Sequence, residues 1–241
     1  MTTVILPCAG LGTRLGLPYP KEIHRVSEGL SLIDFSLNHI RLSDRSIEKI
    51  VIVIRPGKEV VFDYVKESMS EYKVIPTYFN NDYSEWPGSV KSAEKLFSDV
   101  NIVLLPDSII ETKNKNSLLN AYDKVFSTDA EICFSYHKPS NSSKLKDLGA
   151  LYVDKEENIK SFCDKPKLSK NIIYNAYWTS FGFRKIKSEL LLELMMKSVA
   201  REAVNITEIS NRIKGFPVDN YQDLGTWEAI NGFLCSNIKG S

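Results

Sequence analysis

The stretch Leu6–Ile23, LPCAGLGTRLGLPYPKEI, sets three glycines, an arginine and a lysine directly behind an apolar run. Gly10, Gly12 and Gly16 allow a ligand close to the backbone. Successive N–H groups of such a loop can cradle phosphate oxygens. Arg14 and Lys21, seven residues apart, add two donors that stay charged at neutral pH. The chemistry this implies is the binding of a phosphate chain. Two named phosphate loops do not fit. The dinucleotide fingerprint needs a third glycine where Leu15 stands, and an acid near the end of the second strand, where the chain has Arg55. That pairing disfavours a dinucleotide-dependent dehydrogenase. A Walker loop needs GK[ST] after four intervening residues, and the stretch lacks it. The plain alternative is a glycine-rich turn with two solvated cations.

A loop of this kind needs a sheet to carry it, and the chain is long enough to build one. Its 241 residues suffice for one large or two small domains. Lys plus Arg total 31 and Asp plus Glu 30, for a net charge of +1. A general nucleic-acid binder would show a basic excess, so cationic chemistry here is local. Four cysteines, Cys8, Cys133, Cys163 and Cys235, are far apart and show no metal spacing. No signal peptide is legible and no apolar run approaches the ~18 residues of a membrane span, so a cytoplasmic protein with reduced thiols is expected.

Strand and helix patterns alternate through the first half. TVILPC, KIVIVIR, YKVIPTYF, NIVLLPD and AEICFSYH read as strands, the fourth ending at Asp107. LIDFSLNHIRL, KEVVFDYVKESM, GSVKSAEKLF and NSLLNAYDKVF read as helices. The first carries a Ser31/Asp34 capping box, and the third is entered through Pro87 and Gly88. The alternation predicts an α/β fold with a doubly wound, mostly parallel sheet. The second half is an embellishment. It reads as a hairpin of GALYVD and IKSFCDK around KEEN, a strand YNAYWTSFGFR, and helices at about 186–198, 205–213 and 225–238. No Pro/Gly/Ser-rich linker divides the chain, so one domain over 1–241 is expected.

AGLGTRLGLPYPKEI resembles the signature of nucleotidyltransferases that act on sugar phosphates, the glucose-1-phosphate thymidylyl-, uridylyl- and cytidylyltransferase-like family. WPGSVKSA is similar to its P-x-G-T-A segment, LLPDS to L-x-G-D, GALYVDKEENIKSFCDKP to G-V…I…F-x-E-K-P, and YQDLGTWEAI to V-D-T-G-T-W-E-D-L. The chain departs from the pattern as well. Its loop is shorter between Arg and Pro-Lys, LPD replaces L-G-D, DKP replaces E-K-P, and NAYWTSFGF matches N-A-G-I-Y only loosely.

The resemblance implies transfer of a nucleoside monophosphate from a nucleoside triphosphate to a small phosphorylated acceptor, with release of pyrophosphate and Mg²⁺ as cofactor. It assigns nucleotide binding to Leu6, Ala9, Gly10, Gly12, Thr13, Arg14, Lys21, Gly88, Ser89 and Asp107, in the part about 1–110. It assigns acceptor binding to Gly149, Asp164, Lys165 and Asn175, in the part about 111–241, and the metal to Asp107 and Asp223. Arg14, Lys21 and Asp107 would be catalytic. A glycine at Gly88 suits a pyrimidine, and the short loop tilts the choice to CTP, with UTP or dTTP next. No nucleic-acid or membrane partner is implied, and a homo-oligomer is compatible with the pattern. The alternative is a catalytically inactive nucleotide-binding or sugar-nucleotide-binding regulatory module on the same fold. Trp86 and Trp227 read as packing, and His24, His39 and His137 form no triad or metal spacing.

Overall fold

β1 (Thr2–Pro7) and the strands beside it are apolar at nearly every position, and this settles where they lie. A computed structural model describes residues 1–83, 85–112, 117–141, 145–166, 174–199, 201, 203–205 and 212–238. From β1 the chain runs through β2 (Arg25–Ser27), β3 (Leu30–Ser31), α1 (Asp34–Arg41), β4 (Lys49–Ile54), α2 (Glu59–Ser68), β5 (Val74–Tyr78) and α3 (Glu85–Lys91). It continues with β6 (Val100–Val103), β7 (Ser108–Glu111), α4 (Leu118–Phe126), β8 (Ile132–His137), β9 (Gly149–Val153), β10 (Ile159–Asp164) and β11 (Ala176–Arg184). It closes with α5 (Ser188–Val199), β12 (Val204–Asn205), β13 (Ile213–Pro217), β14 (Asn220–Asp223) and α6 (Trp227–Ile238).

The central sheet follows the order β12-β10-β9-β11-β6-β1-β4-β5, with β8 and β13 attached beside β11. β5, β4, β1 and β6 are all parallel, in the register Ile5↔Val51 and Ile5↔Val103. Their side chains alternate between two cores, as the period of two requires. Ile5, Val51, Val53 and Val103 face Phe134 and Phe181, with Val90 of α3 and Leu191 and Met195 of α5. Val4, Leu6, Ile50, Ile52 and Ile54 face the other way, against Leu37 and Ile40 of α1, Val61 and Val65 of α2, and Tyr122 of α4. Each such burial contributes about 1.5–3 kcal/mol. That exceeds the ~1–2 kcal/mol of backbone entropy lost per residue, so these strands are held by their two faces. The doubly wound α/β sheet is the one the alternation predicts.

The embellished half turns the sheet antiparallel. β11 runs antiparallel to β6 in the centre, and the β9–β10 hairpin extends from it. Glu157, at φ 62°, sits in the hairpin's turn, where Asp154 Oδ1 accepts the N–H groups of Glu156 and Asn158. β8 does not prolong the parallel run. It pairs antiparallel with β11 and parallel with β13.

Other local expectations shift. The helix expected over 205–213 is bounded by strands: β12 ends at Asn205 and β13 starts at Ile213, while 206–211 lie outside the described residues. α3 starts at Glu85, so Pro87 and Gly88 are inside its first turn, where proline is tolerated, and a 3-10 turn at Glu94–Leu96 follows. Half of the capping box forms, since Ser31 N–H donates to Asp34 Oδ2 (2.8 Å) but the Ser31 hydroxyl turns to Ile23 O. β6 ends at Val103, and Asp107 follows in the turn to β7. Among the described residues no helix is long and apolar enough to cross a membrane.

Gly88 is fixed by packing. A Cβ there would lie 2.5 Å from Tyr83 Cβ, with Tyr83 backbone atoms at 3.4 Å. Gly88→Ala should destabilise the fold by about 1–3 kcal/mol. Thermal denaturation checks this, and an unchanged melting temperature would refute the packing explanation.

Candidate active site

A cleft of about 650 Å³ opens beyond the carboxyl ends of β1 and β6. This is where open α/β sheets take their ligands. The loop after β1 supplies Ala9, Gly10, Thr13 and Arg14 to its wall. Gly12 (φ 67°) and Gly16 (φ 60°) are left-handed, and the N–H groups of Leu15 and Gly16 both turn back to Gly12 O. A side chain at either position would be strained. Leu15, which breaks the dinucleotide pattern, is buried with Val26, Leu32, Leu224 and Ile230. Trp227 of α6 donates its indole N–H to Leu15 O (2.9 Å). α6 therefore anchors the far end of the loop.

Lys21 enters from a 3-10 turn and forms an ion pair with Asp107, both side chains largely buried. Burial alone would lower the Lys21 pKa, but the charge and hydrogen bond of Asp107 outweigh it, and the ammonium is held above its usual range. Asp223 is far from Asp107 in sequence, and the β7–β14 pairing joins them. Asp223 lies opposite Ser108, and Leu224 N–H donates to Asp107 O (2.8 Å). Burial and then the charge of Asp107 push the Asp223 carboxyl upward, against the Gly225 N–H and the Arg14 charge. Arg14 Nη1 lies 3.9 Å from Asp223 Oδ2. A Cβ on Gly225 would sit 2.5 Å from Arg14 Nη2, so glycine keeps this approach open. The exposed Arg14 pair contributes little to stability.

Two carboxylates close enough to repel each other invite a cation. Among the described residues no group of three or more His, Cys, Asp or Glu is placed to hold a metal. Mg²⁺ needs fewer protein ligands than that, since one or two carboxylates suffice where substrate phosphates and water complete the shell. Asp107 and Asp223 fit a metal shared with a phosphate, with Lys21 and Arg14 supplying the positive charge otherwise.

The other end of the cleft is built from β9, β10, β11 and α3. Gly149, Asp164, Lys165 and Ser89 line it. Burial raises the Asp164 carboxyl, Lys165 lowers it, and Glu85 raises it further. Four residues of the sequence reading stand outside the cleft lining. Leu6 is fully buried in the core, and Gly12 packs beside the Lys21 side chain, where a Cβ would lie 3.9 Å from Lys21 Cβ. Gly88 is under Tyr83. Asn175 bonds the N–H and the C=O of Val153, at 2.9 and 2.8 Å.

The sequence reading missed other wall residues. Trp178 of β11 lines the cleft, packs against Trp86 with ring centroids 4.9 Å apart and planes tilted by 44°, and buries its indole N–H without a partner among the described residues. It fills the space above Gly149, where any side chain would collide with its ring. Trp86 packs as expected but also lines the cleft. Glu85 (φ 56°) and Lys165 (φ 48°), both at the cleft, adopt left-handed backbone, a strain of order 1–3 kcal/mol each. The only sequence signal for Trp178 is its place in the loosely matching NAYW segment.

A glycine-rich loop with two cations opposite a pair of carboxylates, on an open α/β sheet, makes a cleft whose chemistry suits phosphate. The nucleotidyl transferase family model matches residues 3–233, and the chain belongs to that family. It is 26% identical over 254 residues to the bifunctional protein GlmU of Methanococcus aeolicus, across 99% of this chain and 56% of that protein. It is 24% identical to a bifunctional sugar-1-phosphate nucleotidylyltransferase/acetyltransferase of Sulfurisphaera tokodaii, across 75% of this chain and 47% of that one. The chain thus spans about half the length of these curated relatives. Among solved structures, an apo UDP-glucose pyrophosphorylase superposes with a TM-score of 0.78 at 15% identity, covering 100% of this chain and 99% of that one. A UTP-bound UGPase from Acinetobacter baumannii gives 0.75 at 16%, covering 98% and 93%. A chain described as a glucose-1-phosphate thymidylyltransferase from Bacillus anthracis gives 0.76 at 14%, covering 98% and 95%.

The Asp223 carboxyl carries a pH signature. A folded carboxyl held above its unfolded value contributes stability at low pH that is lost as pH rises through the shifted value. Asp223→Asn keeps an oxygen for the Gly225 N–H and removes the charge. The variant should melt above the parent at pH 7 and lose that advantage as the pH falls toward about 4. A melting series across that range checks it, and a lower melting temperature at pH 7 contradicts it.

Proposed function

We propose that the chain transfers a nucleoside monophosphate from a pyrimidine nucleoside triphosphate to a sugar phosphate, releasing pyrophosphate. One observation carries the reading: Lys21 and the glycine loop face the Asp107–Asp223 pair at one end of the cleft, and Lys165 with Asp164 stands at the other. Uridine and thymidine triphosphates rank ahead of cytidine triphosphate as donor. The short loop that favours CTP in the sequence touches phosphates, not the base, while the names of the structural neighbours specify uridine and thymidine chemistry.

The acceptor oxygen attacks the α-phosphorus in line with departing pyrophosphate. Both reactants are polyanions, so catalysis is positioning and charge stabilisation. Loop N–H groups hold the triphosphate. Arg14 grips its β/γ oxygens with a planar fork. Lys21 exchanges Asp107 for the α-phosphate and stabilises the charge that moves during transfer. Asp107 and Asp223 would hold Mg²⁺, which would supply positive charge to the phosphate oxygens. Lys165 takes the acceptor phosphate and Asp164 its hydroxyls. Residues 1–110 form the donor half and 111–241 the acceptor half of one domain. The halves interleave, because Asp223 serves the donor and Trp86 walls the acceptor end.

Pyrophosphate release with each nucleoside triphosphate against a panel of sugar phosphates tests the assignment, and silence across the panel overturns it. Lys21→Ala should lower kcat roughly 10²-fold or more, the loss typical of one transition-state donor. A near-normal kcat in the folded variant removes Lys21 from the mechanism. Lys165→Ala should raise the acceptor KM more than the nucleotide KM, and the reverse split would exchange the two halves of the site.

A further inference from the structure

Two cations outside the sequence reading's site sit at the end of β4, directly beside the glycine loop. Arg55 Nε donates to Ala9 O (2.8 Å), Nη1 bonds Asn81 Oδ1 (2.9 Å), and the guanidinium lies 4.0 Å over the Phe79 ring. Lys58 Nζ donates to Cys8 O (2.6 Å), Gly10 O (2.9 Å) and Glu22 Oε1 (2.9 Å). Three acceptors use all three protons of an ammonium. Lys58 is thus spent on the protein.

Three consecutive carbonyls, of Cys8, Ala9 and Gly10, are therefore drawn toward two cations. In a trans peptide the N–H points away from its C=O. The N–H groups of Ala9, Gly10 and Leu11 therefore face away from Arg55 and Lys58, and none makes a backbone or side-chain hydrogen bond among the described residues. A run of free N–H groups is an anion-binding concavity. The third bond of Lys58 extends the device. Glu22 has no exposed surface and directly follows Lys21, and its carboxyl is raised by burial against the pull of Lys58. One ammonium thus fixes both the loop and the segment that presents Lys21.

We propose that Lys58 and Arg55 are positioning residues for the donor's phosphates: they hold the loop carbonyls back so that its N–H groups face the triphosphate, and Lys58 sets that loop in register with Lys21 through Glu22. The inference rests on the proposed reaction for the identity of the phosphates. Its test reads binding as well as turnover.

The probes are inorganic pyrophosphate and the preferred nucleoside triphosphate, titrated calorimetrically into parent, Lys58→Met, Lys58→Met/Glu22→Gln and Arg55→Met proteins. Lys58→Met should weaken pyrophosphate and nucleotide binding roughly tenfold or more, since hydrogen bonds to charged groups are among the stronger ones, and leave the acceptor KM within about threefold. It should also lower the melting temperature by stranding Glu22. Should that variant fail to fold, the double variant and Arg55→Met carry the test. The double variant should regain the melting temperature without regaining pyrophosphate affinity, and Arg55→Met should weaken pyrophosphate binding in a folded protein. Recovery of affinity along with stability would reduce Lys58 to a charge partner of Glu22 and overturn the proposal. So would an equal rise in both KM values. A parent that binds pyrophosphate but releases none from any substrate pair, with binding still lost in Lys58→Met, would sink the reaction and leave this inference standing.

Discussion

Lys21 and Asp107 are both taken largely out of water where β1 and β6 end, and they form an ion pair there. Breaking a buried pair from one side typically costs 3–5 kcal/mol, because the survivor is left unpaired. Replacing a partner instead of removing it avoids that cost. A phosphate offered to Lys21 and a cation offered to Asp107 satisfy both ends of the pair at once. On the proposed reaction, the site would exchange one set of charges for another. Asp223 adds to the pressure, since its carboxyl is already raised by burial and by Asp107. The geometry needs β1 beside β6 in the sheet and β14 beside β7, and long-range pairings supply both.

The residues that show in the sequence are those whose role is set by near neighbours. The glycine loop declares itself because left-handed turns and paired cations lie within a short span. β1 and β4 declare themselves because burial on both faces demands continuous apolar runs. β11 does not declare itself. Its nine residues read as a strand, yet nothing in them says that it lies between β6 and β9 or carries β8. An antiparallel partner far along the chain leaves no local mark. Trp178 is missed for the same reason, since its place in the cleft follows from β11 lying against β9 and from a glycine at 149 that makes room for it. Asn175 and Gly88 show the opposite error. Their types suit a binding site, but the bonds to Val153 and the packing against Tyr83 explain them.

The cleft is polarised along its length. Arg14 and Lys21, with the free N–H groups of the loop, stand at one end, where Asp223 and Asp107 match their charges. Glu85, Asp147 and Asp164 stand at the other, with Lys165 the cation among them. On the proposed reaction both substrates carry phosphates, so polarity must decide which part of the acceptor goes where. Carboxylates repel phosphate and accept hydrogen bonds from hydroxyls. The acceptor's hydroxyl-bearing body thus belongs at the acidic end, under Trp86 and Trp178, and its phosphate belongs toward Lys165 and the middle of the cleft. The indole N–H of Trp178 fits that arrangement, since a donor without a partner among the described residues can be satisfied by a sugar oxygen and not by a cationic group. In that orientation the acceptor oxygen would meet the α-phosphorus beside Lys21, whose ammonium would stabilise the developing charge of transfer.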